Sequence, residues 1–259
     1  MRFSIPELRL GCTSFTRKAD YQEGMLYACT HCENVTLLLT DPESLPSRED
    51  MKVIAASAKE NDTAVSVHLP DVFFDNAISA CHGYGDVLAC IEASAPLGPQ
   101  YFIIHAEFSA CKNSHGLPDD DSKELCLDFF KRAGEAMKPA LLLAENIESY
   151  NPYAWDFLPF SRCVDVGHLI KDGIDPIRFL RNRLNSTKII HFHGVDPSGR
   201  DHLPLTVLKR SALDNVLFFL WESHYDGIVT FECFGETEFE DSVLAAKESY
   251  NRFRQRHMS

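Results

Sequence analysis

The sequence lacks the long apolar run that a membrane-spanning helix needs. None of its 259 residues lie in an uninterrupted apolar stretch of about 18 residues, so we expect no bilayer span. The first residues, MRFSIPELRLG, contain no apolar core followed by a small-residue cleavage site, and we expect no secretory signal. Nine cysteines are scattered without the spacing of a disulfide framework. Together these absences predict a cytoplasmic protein.

Positive charge is also in short supply. The chain has 25 lysines and arginines against 38 aspartates and glutamates, a formal net charge of −13. A general nucleic-acid binder needs a basic face to neutralise phosphates. The acidic balance therefore argues against a nucleic-acid partner and favours a small-molecule substrate.

Short apolar segments alternate with helical patterns along the chain. Eight segments have the pattern of strands: 8–15, 35–39, 63–67, 101–104, 141–143, 163–166, 188–192 and 227–231. Continuous apolar strands are typical of parallel sheets that are buried on both faces. Because strands and helices alternate without a linker or a break in composition, we predict one α/β domain over residues 1–259, folded as a single (β/α)8 TIM barrel.

Ionisable residues fall where these strands end. They are His68, His105, Glu145, Asp165 with His168, His191 and Glu232. The carboxyl ends of barrel strands converge on one mouth, where barrel enzymes keep their chemistry. Burying several carboxylates together is costly unless cations neutralise them, and imidazole and carboxylate are ligands of Zn, Mn, Fe and Co. The pattern predicts a cage for divalent metal ions.

The stretch at 189–205, IIHFHGVDPSGRDHLPL, is the densest part of this pattern. His191 and His193 are two apart on a strand, so both rings face the same side. Asp201 and His202 follow a turn marked by DPSG. A polar loop with core histidines is the simpler interpretation of this stretch alone, as it is for a lone histidine such as His68. It is the joint placement at strand ends that favours the cage.

Two reactions fit such a cage, and the residues leave both open. Two ions bridged by a carboxylate lower the pKa of a bound water and hold the attacking and leaving oxygens of a phosphate ester. Alternatively, a sugar isomerase or epimerase would pair Glu145 and Glu232 across one ion, which polarises neighbouring sugar oxygens.

The order of these motifs resembles the metal sites of the xylose-isomerase-like, endonuclease-IV-type barrels. Within that superfamily the chain is most similar to the cobamide-remodelling phosphodiesterases. The matching motifs are GCTSF at 11–15, VHLP at 67–70, IH at 104–105, EN at 145–146, DVGHL at 165–169, HFHGV at 191–195, DHL at 201–203 and TFECF at 230–234. The resemblance implies hydrolysis of the phosphoester in the nucleotide loop of a vitamin-B12-type cobamide, which releases cobinamide phosphate or cobinamide for salvage.

The resemblance also implies roles for individual residues. Glu145 would bridge two ions, with His68 and His105 on one and with Asp165, His191 and Glu232 on the other. Glu232 or Glu145 would act as base. His168 and His202 would orient the phosphate or hold an additional ion, and His193 would be a phosphate contact, a further ligand or an acid.

The loop after the seventh strand departs from the endonuclease-IV pattern. There an Asp-x-His pair holds a third ion, but the position two before His202 is Arg200. We therefore expect two ions. Arg200 would contact the phosphate, because guanidinium suits bidentate phosphate binding, and Asp201 and Asn146 would bind substrate. A corrinoid pocket would be built from loops 70–85, 107–118 and 149–160, which carry Phe73, Phe74, Tyr84, Tyr150, Tyr153 and Trp155. A non-catalytic corrinoid-binding module is a further alternative.

Overall fold

Parallel strands form one continuous sheet that closes on itself. The computed structural model describes residues 2–17, 21–107, 118–138, 140–147 and 151–258. Its strands are β1 (Arg9–Thr13), β2 (Asn34–Leu38), β3 (Ala64–His68), β4 (Val72–Phe73), β5 (Tyr101–Glu107), β6 (Leu141–Glu145), β7 (Arg162–Asp165), β8 (Thr187–Phe192) and β9 (Ile228–Phe231). Eight of them follow the order β3-β2-β1-β9-β8-β7-β6-β5, and β5 pairs back to β3. The predicted TIM barrel is confirmed.

The eight predicted strands are all present, with ends shifted by at most three residues. The sequence pattern missed β4, a two-residue strand that pairs with the end of β5. So short a segment has no periodicity to read. Its effect is to extend the wall of the barrel above His68 and His105.

Helices cover the outside of the barrel. They are α1 (Tyr21–His31), α2 (Arg48–Glu60), α3 (Ala77–Ser94), α4 (Asp120–Ala136), α5 (Val166–Lys171), α6 (Pro176–Leu180), α7 (Arg210–Glu222) and α8 (Glu236–Met258). Residues 151–161, between β6 and β7, contain a short 3-10 helix, Pro152–Trp155, and no α-helix. The alternation of strand and helix is therefore incomplete at this one connection.

Local side-chain bonds explain where several helices begin. Ser47 accepts a hydrogen bond from the backbone N–H of Asp50, and Asp50 accepts one from the backbone N–H of Ser47. This capping box satisfies two of the unpaired donors at the start of α2. Asn76 accepts from two backbone N–H groups in the same way at the start of α3. From this cap α3 runs without a break over Ala77–Ser94.

Alternation along the strands places the ionisable residues above an apolar layer. The inward-facing side chains of this layer are Ile103, Leu143, Cys163, Ile189 and Ile228. Two residues further along each strand, on the same face, come His105, Glu145, Asp165, His191 and Thr230. On β5 to β9 the site therefore lies above apolar side chains, toward the carboxyl ends of the strands. In the described part of the chain, no helix is long and apolar enough to cross a bilayer.

Candidate metal centre

The structure brings the residues predicted from the strand ends into one site. His68, Glu145 and Asp165 are the last residues of their strands, and Glu232 directly follows β9. All except His105 and His202 are buried, and those two are partly buried. Potential ligand atoms fall into three main clusters: His68–His105–Glu145, Glu145–Asp165–His191–Glu232, and His168–His193–His202.

The first cluster consists of two imidazoles that face one carboxylate oxygen. Glu145 Oε2 lies 3.1 Å from His68 Nε2 and 3.4 Å from His105 Nε2. The far nitrogen of each ring is already engaged: His68 Nδ1 donates to the carbonyl of Leu69 at 2.9 Å, and His105 Nδ1 lies 2.9 Å from Asp71 Oδ1. Outer contacts of this kind fix the tautomer of a ligating histidine and leave Nε2 for the ion.

The second cluster collects three carboxylates around His191. Its Nδ1 lies 2.6 Å from Glu145 Oε1 and 3.3 Å from Glu232 Oε2. Asp165 pairs with His191 across β7 and β8, so its carboxylate enters from the neighbouring strand. Cys163 lies below and also approaches Glu145 and His191. Glu145 therefore belongs to both clusters, with one oxygen facing each.

The third cluster is made of imidazoles. His168 comes from the first turn of α5, where Asp165 caps the helix by accepting its backbone N–H at 2.7 Å. His193 Nε2 lies 3.2 Å from Asp165 Oδ1, and His193 Nδ1 accepts the backbone N–H of His202 at 3.0 Å. Asp165 thus has two roles, as helix cap and as part of the cage.

His202 is the most exposed member of this cluster, although it is partly buried. Its ring stacks between His193 and Phe234, with centroid distances of 4.3 and 4.6 Å. Its backbone has a φ of 52°, which is unusual for a residue with a side chain and is common at functional sites. Asp201 Oδ1 lies 3.2 Å from its Nδ1, and the other oxygen of Asp201 contacts Lys171.

Electrostatic coupling lowers the pKa of the carboxylates Glu145 and Glu232 and raises the pKa of His105 and His202. Burial alone would raise the pKa of Glu145, but the surrounding imidazoles outweigh it and hold that pKa well below its usual range. Burial likewise opposes protonation of His105, yet Asp71 and Glu145 raise its pKa to about 10. For His202 the carboxylate of Glu232 overcomes burial and raises the pKa to about 9.

Several buried atoms of the site point at each other without forming hydrogen bonds. Among the described residues no hydrogen-bond partner exists for Glu145 Oε1, Asp165 Oδ2, either ring nitrogen of His191, or His193 Nε2. Buried polar atoms are nearly always hydrogen-bonded. The converging carboxylate and imidazole atoms of Glu145, Asp165, His191 and Glu232 fit a divalent metal ion as shared ligands. The donor set of imidazole and carboxylate suits Zn, Mn, Fe or Co alike.

The residues predicted to bind substrate lie at the edge of this cage. Asn146 is buried, and its amide bridges to β7 by donating to the carbonyl of Asp165 at 2.9 Å and accepting its N–H at 3.0 Å. The Arg200 side chain is 76% exposed and pairs with Asp196. The carboxylate of Asp201 contacts the ring of His202. In these positions Asn146 and Asp201 orient other site residues.

The sequence pattern missed four neighbours of the cage, namely Asp71, Cys163, Lys171 and Phe234. A signal existed for Asp71, which closes the His68-Leu69-Pro70 motif with a carboxylate. Of the aromatics predicted for a corrinoid pocket, Phe73 and Tyr153 are exposed, whereas Phe74 is fully buried in the core. Tyr150 lies outside the described residues, as do 108–117 and the side chain of Trp155.

Comparisons with known proteins support the fold. No protein-family model and no curated protein matches the chain. Among solved structures, a D-tagatose 3-epimerase-like protein is similar with a TM-score of 0.74 and 15% identity, covering 96% of this chain and 99% of that one. A xylose isomerase domain protein from Planctomyces limnophilus is similar with a TM-score of 0.71 and 13% identity, covering 97% of this chain and 99% of that one.

A third similar structure is the IolI protein with a bound zinc atom. Its TM-score is 0.65 at 14% identity, and the match covers 95% of this chain and 98% of that chain. At these identities the likeness shows a shared fold, the closed (β/α)8 barrel.

Proposed function

We propose that this chain is a metal-dependent phosphodiesterase that cleaves the nucleotide loop of a cobamide. The observation that carries the proposal is the position of Glu145, whose two oxygens face different clusters, one toward His68 and His105 and the other toward His191. A carboxylate placed in this way can bridge two ions, which is the arrangement of two-metal phosphoester hydrolases.

The residues divide the work as follows. His68 and His105 would hold one ion. Asp165, His191 and Glu232 would hold the other, and Glu145 would bind both. Bound ions would activate water and stabilise charge on the phosphate.

His202 lies at the exposed edge and carries a positive charge in the metal-free protein, since its pKa is about 9. It is suited to bind phosphate oxygens, with His168 and His193 behind it. Glu232, whose Oε2 lies 3.6 Å from His202 Nε2, would accept the proton of the attacking water.

The cobamide as substrate rests on the motif series at 11–15, 67–70, 165–169, 191–195 and 230–234, which resembles the cobamide-remodelling family. An apolar edge beside the cage agrees with a large flat substrate. Phe15 is 43% exposed and contacts Phe234, which in turn stacks on His202. Cobinamide phosphate or cobinamide would be the corrinoid product.

A sugar epimerase or isomerase is the second candidate, and a specific observation favours it. Proteins named for this chemistry share the fold over nearly the whole chain. In addition, Glu145 and Glu232 approach the same nitrogen of His191 from two strands, as two glutamates that share one ion would do. This candidate uses the second cluster alone.

Mass spectrometry of coenzyme B12 incubated anaerobically with the reduced protein, with and without chelator, separates the two. A corrinoid product that has lost its nucleoside, and that disappears when metal is removed, supports the phosphodiesterase and identifies the broken bond. Unchanged cobamide with each of several added metals, together with interconversion of keto-sugars, contradicts it and supports the epimerase. Binding of unchanged cobamide without either reaction would indicate a corrinoid-binding module.

A further inference from the structure

The link between β3 and β4 is one residue longer than the part of β5 that it faces. His68 is paired with Ile103 and Val72 with Ala106, so three link residues face two residues of β5. Such an excess is a β-bulge, which redirects a side chain and is common at barrel rims beside active sites. Pro70 lies within the bulge, where its missing N–H breaks no ladder bond.

The bulge places the carboxylate of Asp71 against His105. Asp71 Oδ1 lies 2.9 Å from His105 Nδ1, and the opposite nitrogen, Nε2, faces Glu145. Before Asp71, Leu69 donates its backbone N–H to the carbonyl of Ile103 at 2.8 Å. After β4, Phe74 donates its N–H to the carbonyl of Glu107 at 2.8 Å, so the link is anchored on both sides of Asp71. The contact is therefore held by the strand pairing and does not depend on a mobile side chain alone.

The same link also orients the other histidine of the first cluster. The Leu69 carbonyl accepts the Nδ1–H of His68. One short segment thus supplies the outer partner of both imidazoles, a neutral carbonyl for His68 and a charged carboxylate for His105. A carboxylate partner makes an imidazole a better metal ligand because it fixes the tautomer and raises the basicity of the ring.

We propose that Asp71 is a positioning residue that holds His105 as a metal ligand and sets the affinity of the first cluster for its ion. The inference deepens the metal-site part of the proposed function and does not depend on the substrate. It also gives β4 a role, because the pairing of β4 with β5 fixes the backbone of the bulge.

The test measures metal binding and needs no turnover. Metal-free wild type, Asp71→Ala and Asp71→Asn would be dialysed against graded Zn²⁺ or Co²⁺, and bound metal counted by elemental analysis. We expect one class of ion to bind about 10–100-fold more weakly in Asp71→Ala, with the other ions unchanged. Asp71→Asn keeps an acceptor for Nδ1–H and should lose less. Asp128→Asn on α4 is the matched control, since it removes an exposed carboxylate that pairs only with Arg132 at 3.5 Å among the described ion pairs.

Unchanged affinity for every ion in Asp71→Ala would overturn the proposal. So would an equal loss of all ions accompanied by a lower melting temperature of the metal-free protein, because that result assigns Asp71 to folding. If the metal effect is found but no cobamide is cleaved by wild type, the positioning role stands and the proposed reaction fails.

Discussion

The imidazole rings of His193 and His202 stack nearly parallel, with centroids 4.3 Å apart and planes inclined by 13°. The backbone N–H of His202 donates to His193 Nδ1, and the pairing of Gly194 with Leu203 closes the loop between them. Two residues nine positions apart thus form one unit at the mouth of the barrel. Their contact fixes the position of the His202 ring.

Gly167 provides the space under this unit, and Gly167→Ala should disrupt it. A Cβ at this position would lie 2.1 Å from the His193 ring, and neither the capped start of α5 nor a buried ring can yield easily. We expect a loss of about 1–3 kcal/mol in the free energy of unfolding, measured by urea denaturation. Gly134→Ala in α4 is the control, because a Cβ there meets nothing within 4 Å; it should be neutral or more stable by up to about 1 kcal/mol. Equal stability of both variants would contradict this account.

Glu145→Gln should abolish turnover and leave the fold intact. An amide presents an NH2 group in place of one of the two oxygens, so it cannot serve both clusters. We expect activity to fall by more than about 100-fold, beyond the effect of a typical outer partner. Circular dichroism would verify the fold, and Glu135→Gln, on the exposed surface of α4, would be the matched control. Near-normal activity of Glu145→Gln would refute the assignment of Glu145.

The metal-free protein should lose stability as pH rises from about 6.5 to about 10. Carboxylate partners raise the pKa of His105 to about 10 against the effect of burial, so the folded state holds this proton more tightly than the unfolded state does. The resulting stabilisation is complete below the unfolded pKa near 6.5 and disappears as pH passes the folded value. Urea unfolding across this range would measure the slope. His105→Gln should flatten it, and an identical slope in that variant would be inconsistent with the prediction.

Asn146→Ala should destabilise the barrel although its amide lies outside the ligand set. The side chain holds both backbone groups of Asp165, and its loss leaves a buried donor and acceptor unpaired. We expect a cost of about 1–3 kcal/mol, together with weaker metal binding by the second cluster. Asn182→Ala on the exposed surface should change stability by less than about 0.5 kcal/mol. A stable Asn146→Ala variant with altered substrate affinity would instead favour the substrate-binding role predicted from the sequence.

The sequence alone determined which residues could meet at the mouth of the barrel. The apolar runs within β5 and β6 stop at His105 and Glu145, and a polar residue that ends an apolar run is visible without coordinates. These side chains lie close together because parallel strands of a closed barrel have their carboxyl ends on one side.

Only the tertiary structure decided how these residues divide among the clusters. The two oxygens of Glu145 face opposite ways because β5 and β8 approach β6 from different directions around the barrel. Asp71 lies against His105 because the link between β3 and β4 contains one extra residue. His202 stacks on His193 with a backbone φ of 52°. The period of a strand predicts which face of the sheet a side chain lies on. Bulges, loop closures and contacts between distant strands depend on distances in the folded chain, which no local sequence pattern contains.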